Sequence, residues 1–290
     1  MTFRQRLSAG KFAVTGEITP HKGVNPARIR EAAKHLIGVV DAINVTDNQR
    51  SSVKASSLAV SKLILEWGGE PVYQLTCRDR NRIALQSDLL GAHMLGLRNV
   101  LVISGDHPEI GDHPDAKPVY DLDSVRLIET VAGLNIGADM RGNRLDERTD
   151  FLIGAAMNPC AQDSEIELIK TQRKIEAGAQ FFQTQVVYDV DRYKAFVSQL
   201  PKDAKVLPGI IPLKSEKMAK FMNAKMPGVS IPDDVIAEIA KAKDPCKTGL
   251  DQAARMIREI RPHAAGAHIM ALGQEEHVGT ILEMAGLKPY

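Results

Sequence analysis

Cysteine is scarce in this chain: Cys77, Cys160 and Cys246 are three among 290 residues. Their odd number and wide spacing exclude a disulfide framework and a Cys-x-x-Cys metal site, and they suit a reducing compartment. An excess of either charge is also missing. Lysine and arginine number 37 against 36 aspartates and glutamates, a formal charge of +1, so no basic stripe invites nucleic acid. No apolar run reaches membrane-spanning length. The charged start Met1-Thr2-Phe3-Arg4-Gln5-Arg6-Leu7 is unlike a secretion leader. Linkers, repeats and low-complexity tracts are absent too. With 44% hydrophobic and 25% charged residues, the chain can bury a sizeable core. These absences predict one soluble cytoplasmic domain over 1–290, with neither a nucleic-acid nor a membrane partner.

What is present is alternation. Strand-like stretches fall at 12–19, 41–46, 71–76, 99–104, 150–156, 180–187, 205–211 and 266–271. Amphipathic segments of helical length separate them, at 26–38, 54–66, 81–96, 121–134, 163–177, 190–199, 215–224 and 274–286. Gly38 and Gly178 close two of these helices, and Asn25-Pro26 opens one. The strands are short apolar runs without clean alternation, as expected where both faces are covered. Eight βα pairs in this length predict an α/β fold, a (β/α)8 TIM barrel. A doubly wound sheet would carry a Gly-x-Gly-x-x-Gly turn after its first strand; Ile18-Thr19-Pro20-His21-Lys22-Gly23 has none. Two insertions interrupt the rhythm: a proline-rich polar loop at 105–120, a candidate binding loop, and a helical insertion around 225–262 containing Pro227, Pro232 and Pro245.

In a barrel the strand C-termini converge on one face, where active sites are built. Glu17 ends the first strand, within Phe12-Ala13-Val14-Thr15-Gly16-Glu17-Ile18-Thr19-Pro20. A carboxylate is costly to bury unpaired, and in an apolar setting a carboxyl keeps its proton toward neutrality, ready to donate. Thr46, Asp47, Gln74, Thr76, Ser104, Gly105, Asp106, Asn158, Gln183 and Gln185 join it at other strand ends, whereas strands seven and eight add little beyond Lys214 and Gln274. His21, His107 and His113 lack the spacing of a metal cluster, so no metal is expected. No strand-end lysine offers a Schiff base, and Cys77 has no histidine base. The residues alone describe a polar, amide-rich mouth with a proton donor, suited to cofactor chemistry.

The ordered strand-end motifs resemble the methylenetetrahydrofolate reductase family, the flavin-dependent barrels of one-carbon metabolism and methionine biosynthesis. They are Glu17 before Pro20, Asn44-Val45-Thr46, Leu75-Thr76-Cys77 and Ser104-Gly105-Asp106-His107-Pro108. Arg173-Lys174-Ile175-Glu176-Ala177-Gly178-Ala179 follows, leading to Gln183-Thr184-Gln185, and then Pro208-Gly209-Ile210-Ile211-Pro212-Leu213. The resemblance covers about residues 10–288. It implies an oxidoreductase that reduces 5,10-methylenetetrahydrofolate to 5-methyltetrahydrofolate with hydride from reduced FAD. By it, Glu17 matches the general acid that opens the substrate ring to an iminium, and Asp106 matches the aspartate whose charge favours that cation. Thr46, Asp47, Gln74, Ser104, Gly105, Asp106, Tyr120, Asp121 and Asn158 fall on FAD-lining positions, and Lys174 on one directed at the cofactor phosphates. Gln185, Met218, Phe221 and Gln274 match substrate-binding positions. Electrons would come from NAD(P)H or from an electron-transfer partner subunit, in a homo-oligomer or a heteromeric complex.

The chain departs from the family at several of these places. Family members often carry Phe-Glu-Phe-Phe-Pro-Pro where Gly16-Glu17-Ile18-Thr19-Pro20-His21 stands here. Gln74 replaces a frequent histidine, Ser104 and Gln274 replace arginines, and Met157-Asn158-Pro159 replaces a tyrosine and histidine region. The barrel accounts for nearly all of these residues, so no regulatory domain is expected. Two other readings therefore stay open: a flavin-carrying or folate-binding subunit inactive without its partner, and a pterin-dependent methyltransferase barrel.

Overall fold

Eight parallel strands close a barrel in chain order: β1 (Ala13–Ile18), β2 (Ala42–Val45), β3 (Pro71–Thr76), β4 (Asn99–Ile103), β5 (Leu152–Met157), β6 (Phe181–Val186), β7 (Val206–Ile210) and β8 (Gly266–Ile269). This computed structural model describes residues 1–226 and 228–288; Pro227, part of the predicted insertion, lies outside them. The last strand pairs with the first, Ala13 opposite Gly266 and Thr15 opposite His268. The predicted (β/α)8 TIM barrel is the observed fold, a single α/β domain.

Each strand divides its side chains between two cores. Val14 and Ile18 of β1, Ile43 and Val45 of β2, and Tyr73 and Leu75 of β3 face outward and pack under the helices. Ala13, Ala42, Val72, Leu101, Leu152, Phe181 and Leu207 face inward and form a smaller apolar cluster with Phe3 and Leu7. These last two belong to a helix the sequence reading does not include, α1 (Phe3–Ser8), capped by Thr2 and Gln5 in a reciprocal capping box. Phe3 meets the Phe181 ring edge-on at 5.3 Å, so α1 seals the floor of the barrel. Higher up, the same inward parity carries Thr15, Glu17, Asn44, Thr46, Gln74, Thr76, Gln183 and His268, all buried. Both faces of the strands are buried, as expected, and the inward face is apolar below and polar above. Strand geometry sends every second side chain to the same face, which places all of this polarity at one end.

The surrounding helices follow the predicted rhythm with shorter bounds: α2 (Ala27–Leu36), α3 (Ser57–Glu66), α4 (Arg82–Met94), α5 (Ser124–Asn135), α6 (Ser164–Glu176), α7 (Val190–Val197), α8 (Glu216–Lys225) and, last, α11 (Val278–Met284). The insertion before β8 holds α9 (Asp233–Ala240) and α10 (Pro245–Ile260). α6 shows the local logic. Asp163 caps it by accepting from Ile166 N, Glu165 and Glu167 meet its positive end, and Arg173 and Lys174 its negative end. Gly178 then turns the chain at φ +112°, a conformation that L side chains resist. That stop fixes Lys174 one turn from the helix end, beneath the mouth of the barrel.

Candidate active site

Glu17 sits on the wall of a cavity of about 450 Å3 at the strand C-termini. Its residue is 7% exposed, and Oε2 lies 3.4 Å from Nε2 of His268. Among the described residues, His268 is the one cationic or imidazole group within 4 Å of that carboxylate. His268 Nδ1 is 2.9 Å from the Thr15 hydroxyl. Thr15 Oγ1 accepts from Gln183 Nε2 at 3.0 Å, and the Gln183 amide pairs with that of Asn44 through both groups, at 2.5 and 3.0 Å. Four buried side chains from β1, β2, β6 and β8 thus form one hydrogen-bonded chain, and its imidazole end stands against the Glu17 carboxyl. Fully paired, such a network avoids the penalty of orphaned polar groups.

A second network braces the rim. Asp47 Oδ2 accepts from Thr76 N at 3.0 Å and from its hydroxyl at 2.9 Å, and the carboxylate takes two bonds from Arg80, at 2.7 and 3.2 Å. Arg80 Nε continues to Asp88 at 2.8 Å. Arg78 grips Asp79 with two 2.7 Å bonds and also donates to the carbonyls of Asp106 and Asn48. Its guanidinium therefore ties the ends of β2, β3 and β4 together and holds the backbone that carries Asp106. Gly105 stands above it at φ +85°; a Cβ there would meet Arg78 and Thr76 at 3.1 to 3.2 Å.

Ten of the residues expected from the sequence line this one cavity: Glu17, Thr46, Asp47, Gln74 and Ser104, together with Gly105, Asp106, Asn158, Lys174 and Gln185. Gln185 lies within a break in register between β6 and β7, the kind of irregularity that re-aims a side chain. Thr46 is 2% exposed and its hydroxyl has no partner. Lys174 Nζ donates to one carbonyl, Ala156 O, at 2.5 Å, and burial lowers the pKa of this ammonium. Asn158 is partly engaged, its Nδ2 bonded to Gly228 O at 3.1 Å.

Five others are not brought to the cavity. The Tyr120 hydroxyl donates to Gly105 O at 3.0 Å from outside, pinning the loop after β4. Asp121 is held by Arg82 at the start of α4 through bonds of 2.7 and 2.8 Å, which lower its carboxyl to about 2. Gln274 is buried as a brace, donating to Pro212 O and accepting from Cys246. Met218 packs half-buried against the outer core, and Phe221 stands 47% exposed on α8. Conversely, His268, Arg78 and Arg80 are not among the residues expected from the sequence. The signal for His268 is parity, since it occupies the inward position of Gly266-Ala267-His268-Ile269. For the arginines it is the Arg78-Asp79-Arg80 run directly after a strand. Among the described residues no three of His, Cys, Asp or Glu gather as metal ligands, and no helix is long and apolar enough to cross a membrane.

A closed barrel with a carboxyl–imidazole pair inside it, and amides, hydroxyls and a buried ammonium around its mouth, has the build of a barrel enzyme working on a polar ligand. The family described as Methylenetetrahydrofolate reductase matches residues 2–286. The chain is 26% identical to 5,10-methylenetetrahydrofolate reductase of Salmonella typhimurium, over 99% of this chain and 97% of that one. It is 23% identical to a probable methylenetetrahydrofolate reductase (NADPH) of Caenorhabditis elegans, over 98% of this chain and 39% of the longer protein. Among solved structures, an uncharacterized protein from Clostridium thermocellum, which binds two copies of 5-methyl-5,6,7,8-tetrahydrofolic acid, superposes with a TM-score of 0.68. It shares 15% identity, and 98% of each chain is covered. This chain belongs to the methylenetetrahydrofolate reductase family of oxidoreductases.

Proposed function

We propose that the chain reduces 5,10-methylenetetrahydrofolate to 5-methyltetrahydrofolate with FAD held at the mouth of the barrel. One observation carries the reading: an ionisable carboxyl, Glu17, is buried in the wall of the strand-end cavity beside an imidazole. A donor placed there protonates a bridging nitrogen of the substrate and opens its five-membered ring. A positioned general acid contributes ~10²–10⁴ in rate. Asp106, exposed at the rim, places negative charge where the iminium cation develops.

The residues present also suit a flavin dinucleotide. The unpartnered Thr46 hydroxyl is a buried polar atom awaiting a ligand. The Gln74 amide faces the cavity beside it. Lys174, with one carbonyl for a partner, suits a phosphate oxygen. Gly105 lets the backbone approach a ring closely. When bound, FAD supplies the hydride. Gln185 would orient the pterin, and Phe221, on α8 outside the cavity lining, would offer an apolar surface to the part of the folate that projects from the mouth. Tyr120 would act through the loop that carries Asp106, and Asp121 through its pairing with Arg82.

The test is anaerobic reoxidation of the dithionite-reduced flavoprotein by methylenetetrahydrofolate. Wild type should bleach and recover its yellow colour. A Glu17→Gln variant should keep its flavin and lose most of the folate-driven recovery. A colourless purified protein, or a Glu17→Gln variant with undiminished recovery, overturns the reading. Running the same enzyme with NADH or NADPH in place of dithionite separates a self-sufficient reductase from one fed by a partner subunit.

A further inference from the structure

We propose that His268 is the positioning residue of Glu17: it presents Nε2–H to Oε2 and so places the transferable proton on Oε1. The inference rests on the reading of Glu17 as the acid, and its geometry comes from the buried chain of hydrogen bonds. The reciprocal pairing of the Asn44 and Gln183 amides uses one hydrogen of Gln183 Nε2 on Asn44 Oδ1. The second hydrogen is directed at Thr15 Oγ1, 3.0 Å away. The Thr15 hydroxyl accepts there, so its own hydrogen is free for His268 Nδ1 at 2.9 Å. An imidazole that accepts at Nδ1 and is neutral carries its hydrogen on Nε2. That nitrogen faces Glu17 Oε2 at 3.4 Å.

The direction of the chain sets the chemistry. With Oε2 occupied as an acceptor, the hydrogen of the carboxylic acid belongs on Oε1, the oxygen not engaged by the imidazole. Proton transfer then runs from Oε1 to the bridging nitrogen of the substrate as its carbon–nitrogen bond breaks. The resulting carboxylate stays against Nε2–H, and this contact strengthens as charge appears on its acceptor. No redox change occurs in this step; one proton moves and one ring bond opens. The partners that orient His268 come from three other strands, so the ring cannot swing without breaking a buried bond.

Two measurements test this. Long-range ¹H–¹⁵N spectra of the histidine-labelled flavoprotein should show His268 neutral with hydrogen on Nε2. Thr15→Val, which removes the donor to Nδ1, should convert that signal to a mixture of tautomers. In the folate half-reaction, His268→Leu should lower the rate constant at saturating folate about 10–100-fold, a part of the ~10²–10⁴ that a placed acid contributes. Apparent folate affinity and flavin content should stay near wild type, and His268→Gln should recover part of the loss through its amide N–H. Should His268→Leu fail to fold, Thr15→Val supplies the same rate comparison. A wild-type His268 protonated on Nδ1 alone, or unchanged rates in both variants, overturns the proposal. A wild-type enzyme that shows the Nε2–H tautomer yet does not oxidise its flavin with folate defeats the functional reading instead.

Discussion

Arg80 holds Asp47 with two hydrogen bonds, at 2.7 and 3.2 Å, and the Asp47 side chain is 1% exposed. Two Thr76 donors complete the shell of the carboxylate. Breaking a buried pair from one side leaves the other charge uncompensated. Arg80→Met should therefore destabilise the fold by about 3–5 kcal/mol. Adding Asp47→Asn should recover much of that loss, and a double-mutant cycle by urea denaturation reads the coupling directly. Equal losses in the single and double variants would show that Arg80 acts by packing alone.

Lys174 predicts a stability that climbs with alkaline pH. Burial lowers its ammonium from the ordinary 10.5, so the unfolded chain binds this proton more tightly than the folded one. Stability must rise with pH wherever the unfolded state holds more protons. The penalty is complete below the folded pKa and gone above 10.5. Lys174→Met should raise the unfolding midpoint at pH 7, with the advantage over wild type shrinking as pH approaches that limit. The same variant should bind FAD more weakly, which equilibrium dialysis measures. A wild-type-like midpoint at every pH would place this ammonium in water.

Phe221 separates a ligand contact from a packing role. At 47% exposure on α8, truncation to alanine removes little buried surface and should shift stability by about 0.5 kcal/mol or less. If the ring walls the folate, Phe221→Ala should raise the apparent folate KM several-fold and leave flavin content alone. An unchanged KM, or a large drop in melting temperature, would assign the ring elsewhere.

Strand positions and closure were legible because short apolar runs separated by amphipathic segments leave few architectures. Most of the cavity wall was legible too, since polar residues at the ends of consecutive strands must converge once a barrel closes. Gln274 illustrates the limit. Placement just beyond β8 suggested the mouth, yet its amide turns down to Pro212 and Cys246, a choice made by side-chain hydrogen bonding that spacing does not encode. Tyr120 and Asp121 fall short for a related reason: each finds a partner on a neighbouring loop or helix start before reaching the cavity. His268 was hidden differently. A single histidine in an apolar strand carries weak compositional signal, and its importance comes from Glu17 lying one strand away across the closing seam. The floor helix α1 did carry a signal, the Thr2–Gln5 capping box, within a segment that otherwise reads only as too charged for a leader.

The pairing of β1 with β8 joins the earliest and latest strands of the chain. During synthesis the cylinder must remain an open sheet until residues beyond 269 have emerged from the ribosome. The Thr15–His268 and Glu17–His268 contacts cross that same gap, so the acid meets its imidazole only at the final act of assembly. A nascent chain stalled before β8 would therefore expose both sheet edges and leave the reactive carboxyl without its orienting neighbour.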